Sequence, residues 1–322
     1  MKKVVTFGEI MGRLSPPGYS RIVQTQSFNI TYGGGEANVA GGLAHLGIPA
    51  KHVTRFPNNE LGKAAAGSYA QEGVDTSDIV YGEGRLGLYF VEFGAAMRPS
   101  KVTYDRADSA FANLSPSEFN WQEIFKDACW FHWTGISPAI SESAAQALRE
   151  AISVANALGI TVSADVNYRK NLWQYGKRPL EVMPELIRYT HVIVAGMADF
   201  ENCMDITAED YEAACIQAKK DYPQIKYITT TERDSISASE NGLSAILWNG
   251  KNLLTSKKYN MTHIVDRVGG GDAYMAGLIY GLLHFKPKEA IEFAMAAGAI
   301  KHSVPGDVLL CSLQEVQELA SG

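Results

Sequence analysis

The sequence predicts an α/β fold: a central, mainly parallel β-sheet flanked by helices on both faces, with a smaller β-element set apart. Three observations lead there. Short β-branched runs alternate with segments of helical period along most of the chain, the signature of βαβ units. Helical segments stop at glycines such as Gly47 and Gly73, which accept the left-handed turn that closes a helix. Residues 15–32 and 87–104 break the alternation, being extended and rich in Val, Thr, Phe and Tyr with no helical period.

Taken in order, residues 3–7 (KVVTF) read as the first strand and 36–46 as a helix stopped by Gly47. A strand at 51–55 and a helix at 61–71 follow. Later strands are expected at 128–133, 161–165, 191–195 and 227–230, with helices near 142–158, 180–189 and 208–219 between them. Short strands are expected at 235–238, 245–248 and 252–259, the last two joined by an Asn249–Gly250 turn. Helices at 272–284 and 287–302 close the chain. Residues 1–322 then read as one domain with an inserted β-element at about 13–32 and 86–112, suited to act as a lid or a subunit contact.

Composition narrows the function. The chain is 46% hydrophobic and 20% charged, with a formal net charge of −6. So mild a charge offers no field for nucleic acid or anionic lipid, so a small anionic ligand needs a local cluster of cations. Cys129, Cys203, Cys215 and Cys311 show no C-x-x-C spacing, so neither a zinc ribbon nor a disulfide framework is expected and a reducing cytoplasm is. No run reaches the ~20 apolar residues of a membrane span, and the apolar run after Lys3 breaks at Gly8 and Glu9, too early for a signal peptide. His45, His132, His284 and His302 have no metal-ligand spacing.

Chemistry concentrates in Asp266-Arg-Val-Gly-Gly-Gly-Asp272, which opens an apolar helix. Glycines let backbone N–H groups turn inward, and a helix N-terminus adds the positive end of its dipole. Gly269, Gly270 and Gly271 thus build an anion hole suited to a phosphoryl group in transfer, and Asp272 can take the proton of an attacking hydroxyl. The competing reading is that Asp272 only caps its helix. The segment is no P-loop, since G-x-x-x-x-G-K-[ST] is absent.

This segment resembles the C-terminal signature of the ribokinase/PfkB carbohydrate kinases, D-T-x-G-A-G-D, with Arg267 in place of Thr and Gly270 in place of Ala. The N-terminal signature is matched by Gly33-Gly-Gly-Glu-Ala-Asn38-Val-Ala-Gly-Gly. The resemblance implies a ribokinase-like fold with a β lid, ATP and Mg²⁺ as requirements, and possible activation by a monovalent cation. It also implies Asp272 as the base, with Gly34 and Asn38 in the acceptor pocket.

Within the family the chain is most similar to kinases of 2-keto-3-deoxygluconate, through residues 87–94, 102–110 and Asp165-Val-Asn-Tyr-Arg169. That likeness implies Tyr89, Tyr104, Arg106, Asn167 and Arg169 as acceptor contacts. An acidic sugar agrees with two guanidiniums, the group suited to bidentate carboxylate recognition. Fructose, ribose or the galactonate epimer are the alternatives, and a non-catalytic sugar-binding regulator is the reading from another class. On the nucleotide side the resemblance implies Thr231, Arg233, Lys301 and His302. Asp199 is implied to hold the metal through water, although the family's N-x-x-E reads Gly196-x-x-Asp199 here. The Pro305-Gly306-Asp307 sequence reads as a turn without catalytic role. A lid of extended strands favours a homo-oligomer by edge pairing.

Overall fold

The computed structural model describes residues 2–235 and 240–322. Strand β1 (Lys3–Phe7) is buried from Val4 onward, as a strand covered on both faces must be. Its alternation sends Val5 and Phe7 into one core cluster and Val4 into the other. The chain leaves for β2 (Met11–Ser15) and β3 (Asn29–Gly33) and returns through α1 (Gly35–His45) to β4 (Ala50–Val53). Then come β5 (Arg55–Pro57), α2 (Glu60–Gln71) and β6 (Val80–Gly82), and a second excursion, β7 (Leu88–Glu92) and β8 (Lys101–Asp105).

Alternation resumes with α3 (Trp121–Ile124), β9 (Ala128–Thr134), α4 (Ser137–Ile140), α5 (Glu142–Ala157), β10 (Thr161–Asp165) and α6 (Pro179–Ile187). It continues through β11 (Val192–Val194), α7 (Met197–Met204), α8 (Tyr211–Asp221) and β12 (Tyr227–Ser235). An antiparallel edge, β13 (Glu240–Trp248), β14 (Leu253–Thr255) and β15 (Tyr259–Thr262), precedes α9 (Gly270–His284), α10 (Pro287–Lys301) and α11 (Leu313–Ser321).

The described residues form a nine-stranded sheet in the order β14-β13-β12-β11-β10-β9-β1-β4, with β15 also on β13. Every pairing from β4 to β12 is parallel, which brings the C-terminal ends of β1, β9, β10 and β11 to one edge, where ligands gather in open α/β sheets. The two excursions meet as a separate sheet, β3-β2-β7-β8, joined by parallel pairing of β2 with β7. Among the described residues no helix is long and apolar enough to cross a membrane.

The α/β architecture with its parallel sheet and separate small sheet is as expected, with several local corrections. The strand expected at 51–55 is two, because β5 turns away to pair with β6. The strand expected at 252–259 is also two, β14 and β15, both on β13. β12 runs on to Ser235, its far half held by β13; the rest of the strand expected at 235–238 lies outside the described residues. The four-residue helices α3 and α4 were not foreseen, nor were the longer α7 and α11. The longer two begin with short-range caps, Asp199 on Gly196 and the Ser312/Glu315 box, and α11 buries only Val316.

Candidate active site

The glycine turn at the head of α9 comes first. Gly269 is the N-cap, with φ of 82°, and no side chain caps the helix. A Cβ at Gly269 would lie 1.9 Å from the Asp307 carbonyl oxygen, and one at Gly270 would lie 2.5 Å from His302 Cε1. The fold itself therefore demands these two glycines. Gly271 differs: a Cβ there would meet nothing within 4 Å, and its φ is ordinary. The open space in front of it, beside first-turn N–H groups without helical partners, fits an anion approaching the backbone. Gly270 replaces the family's usual Ala because His302 occupies the room a methyl would need.

Asp272 stands in the first turn of α9, where an acid ordinarily reaches back to its own N-cap. Instead its Oδ2 accepts from Asn38 Nδ2 at 2.7 Å. Asn38, in α1, is fixed from the other side because its Oδ1 accepts from the Tyr69 hydroxyl at 2.7 Å. Burial pushes the Asp272 carboxyl up to about 7, with Asp307 and Glu36 adding to the rise, against the Asn38 hydrogen bond and Lys301. Asp272 is thus not a cap but a carboxylate aimed across at α1, poised between its protonation states near neutrality. Asn38, expected in the acceptor pocket, thus lies directly against the Asp272 carboxyl. Gly34, the N-cap of α1, packs on the Glu9 carbonyl oxygen, 2.0 Å from where its Cβ would be.

Behind the glycine turn lies a buried charge network. Arg13 of β2 donates to Asp266 at 2.7 Å and to Asp307 at 3.0 Å, all three being nearly inaccessible. Tyr89 of β7 donates to Asp307 Oδ1 at 2.7 Å. The hydroxyl expected to meet the acceptor is thus engaged with Asp307. Asp307 is likewise more than a turn residue. Lys301 is fully buried and donates to the Val304 carbonyl, while His302 Nδ1 pairs with the Gly298 carbonyl at 2.7 Å. Burial lowers His302 to about 4, so the ring is neutral and Nδ1 carries the donated proton. Both side chains, expected on the nucleotide side, are buried beneath the turn.

A cavity of about 950 Å³ opens beside this edge, lined among others by Tyr104, Arg106, Asn113, Ile136, Arg169 and Tyr175. Arg106, just past β8, is held by Glu9 at the C-terminal end of β1, Nε–Oε2 2.9 Å. It is not a surface pair with its neighbours Asp105 and Asp108. Glu9 is buried, and its Oε1 has no hydrogen-bond partner. Tyr104 stacks on Tyr89 with ring centroids 6.0 Å apart and exposes its outer face to the cavity. Arg169 is exposed in the loop after β10. The two arginines expected to meet one carboxylate therefore line one cavity. Asn167, at φ 43°, donates to Asp165 Oδ2 at 3.4 Å and so shapes the β10 loop.

The residues expected on the nucleotide side include two on β12. Thr231 and Arg233 are exposed on that strand. Arg267 forks onto the Asn241 side-chain oxygen at 3.0 and 3.2 Å with the amide turned to accept, and the charges of Arg233 and Arg267 oppose each other. Such a pair suits polyanion binding. Asp199 accepts from the backbone N–H groups of Gly196 and Tyr168 at 2.7 and 2.8 Å, capping α7. Burial, then the charges of Asp199 and Asp272, push Asp165 up to about 8. Two crowded acids beside the Arg169 charge fit a divalent cation. Among the described residues no group of three or more His, Cys, Asp or Glu converges as a ligand set, so a cation here would need ligands beyond these side chains, which suits Mg²⁺.

Glu9 and Arg13 belong to the site without a motif that announces them, whereas Glu36 lies inside the N-terminal signature and Asp307 in the Pro305-Gly306 turn. Glu36 accepts from the Thr134 and Ser137 hydroxyls at 2.8 and 2.6 Å, tying α1 to the end of β9. The legible signals are an acid at the end of β1, where α/β ligands bind, and an arginine inside an apolar strand.

The profile of the pfkB family carbohydrate kinases matches residues 1–312. The chain is 44% identical to a 2-dehydro-3-deoxygluconokinase of Thermotoga maritima of known crystal structure, with a TM-score of 0.94 and full coverage of both chains. A 2-dehydro-3-deoxygalactonokinase of Haloferax volcanii is 30% identical over 99% of this chain and 97% of its own length. A 2-dehydro-3-deoxygluconokinase of Bacillus subtilis is 28% identical over 94% and 90%.

Proposed function

We propose that this chain, which belongs to the pfkB family of carbohydrate kinases, transfers the γ-phosphate of ATP to the primary hydroxyl of 2-keto-3-deoxygluconate. The chain is an ATP-dependent sugar kinase; the acceptor, the residue roles and the lid are the proposal. The observation that carries it is Asp272 turned from its own helix end towards Asn38, beside a glycine turn whose third glycine faces open space.

Asp272 takes the proton of the acceptor hydroxyl as that oxygen bonds to γ-phosphorus and the β,γ-bridging oxygen leaves with ADP. The Gly271 and Asp272 N–H groups and the α9 dipole stabilise the charge spread over the transferring oxygens, the Gly270 N–H being engaged by the Arg267 carbonyl at 3.3 Å. Arg233, Thr231 and Arg267 hold the nucleotide. Asp165 and Asp199 would hold Mg²⁺, Asp199 through water, and that ion supplies neutralisation of phosphate charge. Arg169 forks onto the sugar carboxylate, Arg106 adds the Nη1 that its Glu9 pair leaves open, and Tyr104 covers the carbon chain. The small sheet acts as a lid that excludes water and so limits wasteful hydrolysis of ATP. Its exposed apolar residues, Val23, Ile30, Val102 and Tyr104, favour pairing with a second copy; a monomeric mass by light scattering refutes this. Four free cysteines fit a reducing, cytoplasmic setting.

The galactonate epimer is the second reading, favoured by the Haloferax volcanii relative. A coupled ADP-release assay with MgATP tests both. It compares the two epimeric keto-deoxy acids, gluconate, fructose and ribose, with Asp272→Asn as blank. The keto-deoxy acids should lead in kcat/KM by orders of magnitude. A lead for fructose or ribose refutes the two-arginine assignment.

A further inference from the structure

We propose that Arg13 is a positioning residue for phosphoryl transfer, a permanent cation on the small sheet that holds the Asp266–Gly271 turn in its anion-binding shape. The inference rests on the kinase reading above.

The geometry is specific. Arg13 Nη2 donates to Asp266 Oδ2 at 2.7 Å, Nη1 to Asp307 Oδ2 at 3.0 Å and Nε to Ser15 Oγ at 3.3 Å. The guanidinium carbon lies 5.2 Å from the centroid of the Phe93 ring, and the side chain is only 2% exposed. Each acid it holds shapes the turn by a separate route. Asp266 accepts from the N–H groups of Val268 at 3.0 Å and Gly306 at 3.1 Å, fixing the start of the turn and the loop beneath it. Asp307 presents the carbonyl on which Gly269 rests. Two buried carboxylates so placed repel each other unless a cation lies between them. Lys301, the other buried cation here, directs its ammonium to the Val304 carbonyl. Only a planar fork answers both acids at once; a lysine is a point charge and meets one.

The network also crosses between layers. Arg13 sits on β2 and Tyr89 on β7, both in the small sheet, whereas Asp266 and Asp307 flank α9 and α10 of the main body. The wall that receives the acceptor and the turn that receives the phosphoryl group therefore share one set of hydrogen bonds. The turn keeps its shape when the small sheet is seated, so the anion hole is complete only beside a formed acceptor wall.

The test uses the full chain in the ADP-release assay, with Arg13→Ala, Arg13→Lys and Asp272→Asn beside wild type, each first checked for folding by circular dichroism. Arg13→Ala should lose about 10²-fold in kcat, as for loss of one oxyanion-hole donor, with little change in acceptor KM. Guanidinium chloride at non-denaturing concentration should recover part of that loss in Arg13→Ala and none in Asp272→Asn. Asp266→Asn should cost less in the Arg13→Ala background than in wild type, since partners in one network are not additive. A folded Arg13→Ala with wild-type kcat overturns the proposal. So does a loss that appears in acceptor KM and ignores guanidinium, which marks a substrate contact. Where Arg13→Ala does not fold, Arg13→Lys decides: wild-type kcat overturns the fork argument and a reduced kcat supports it. Absence of ADP release from wild type with every sugar ends the kinase reading, and this inference with it.

Discussion

Replacing Asp272 by Asn should make the protein more stable at neutral pH while removing its activity. In the folded chain the carboxyl ordinarily near 3.8 is pushed up to about 7, so its ionised form is held at a cost. At about 1.4 kcal/mol per pH unit the full shift corresponds to about 4 kcal/mol; partial solvent access at the cleft brings that to about 2–4 kcal/mol. The sign follows from proton counts. Between about 4 and 7 the folded chain keeps a proton the unfolded chain has released, so this group's contribution to stability falls as pH rises, then levels off above about 7. Asn carries no such penalty and still accepts from Asn38. For 322 residues, roughly 1.5 °C in Tm accompanies each kcal/mol. Thermal unfolding should thus show Asp272→Asn above wild type by about 3–6 °C at pH 8, with the gap closing towards pH 4. Turnover should fall by the ~10²–10⁴ expected for loss of a general base. Removing the Asp272 charge also eases Asp165, which that charge helps to push up, so the two contributions have the same sign. A gap independent of pH, or a variant less stable at pH 8, refutes the reasoning.

Gly271→Ala separates anion binding from folding. Its Cβ enters open space, so stability should hold or rise by up to about 1 kcal/mol while kcat falls; unchanged kcat removes the anion hole. Gly270→Ala meets His302 and should cost about 1–3 kcal/mol in denaturant unfolding; a neutral result means the ring moves freely. Arg169→Ala should raise acceptor KM about 10–100-fold, the worth of a charged hydrogen bond, with ATP KM unchanged; equal acceptor KM excludes it from the pocket. The acceptor kcat/KM should rise with pH towards about 7 and then level, because the base must be deprotonated. Its midpoint belongs to the Asp272–Asp165 cluster, and a flat profile excludes Asp272 as base.

Much of this was legible from the chain alone, because it is local. Period and glycine stops mark β1, α1, α2 and β10 almost to the residue, since they reflect burial of one strand or helix face at a time. The glycine triplet before Asp272 marks the head of α9 for the same reason. Tertiary structure decided what the conspicuous residues touch. Tyr89 and Asp307 lie 218 positions apart, Asn38 and Asp272 lie 234 apart, and Arg13 and Asp266 lie 253 apart. Sequence alone gives Tyr89 and Arg106 a plausible sugar and gives Lys301 and His302 a plausible nucleotide. The fold gives Tyr89 to Asp307, holds Arg106 with Glu9, and buries Lys301 and His302 beneath the turn. Periodicity records which face of an element is buried, but the partner on that face is set by sheet register and by the packing of the small sheet on the large one, both of which depend on contacts between distant parts of the chain.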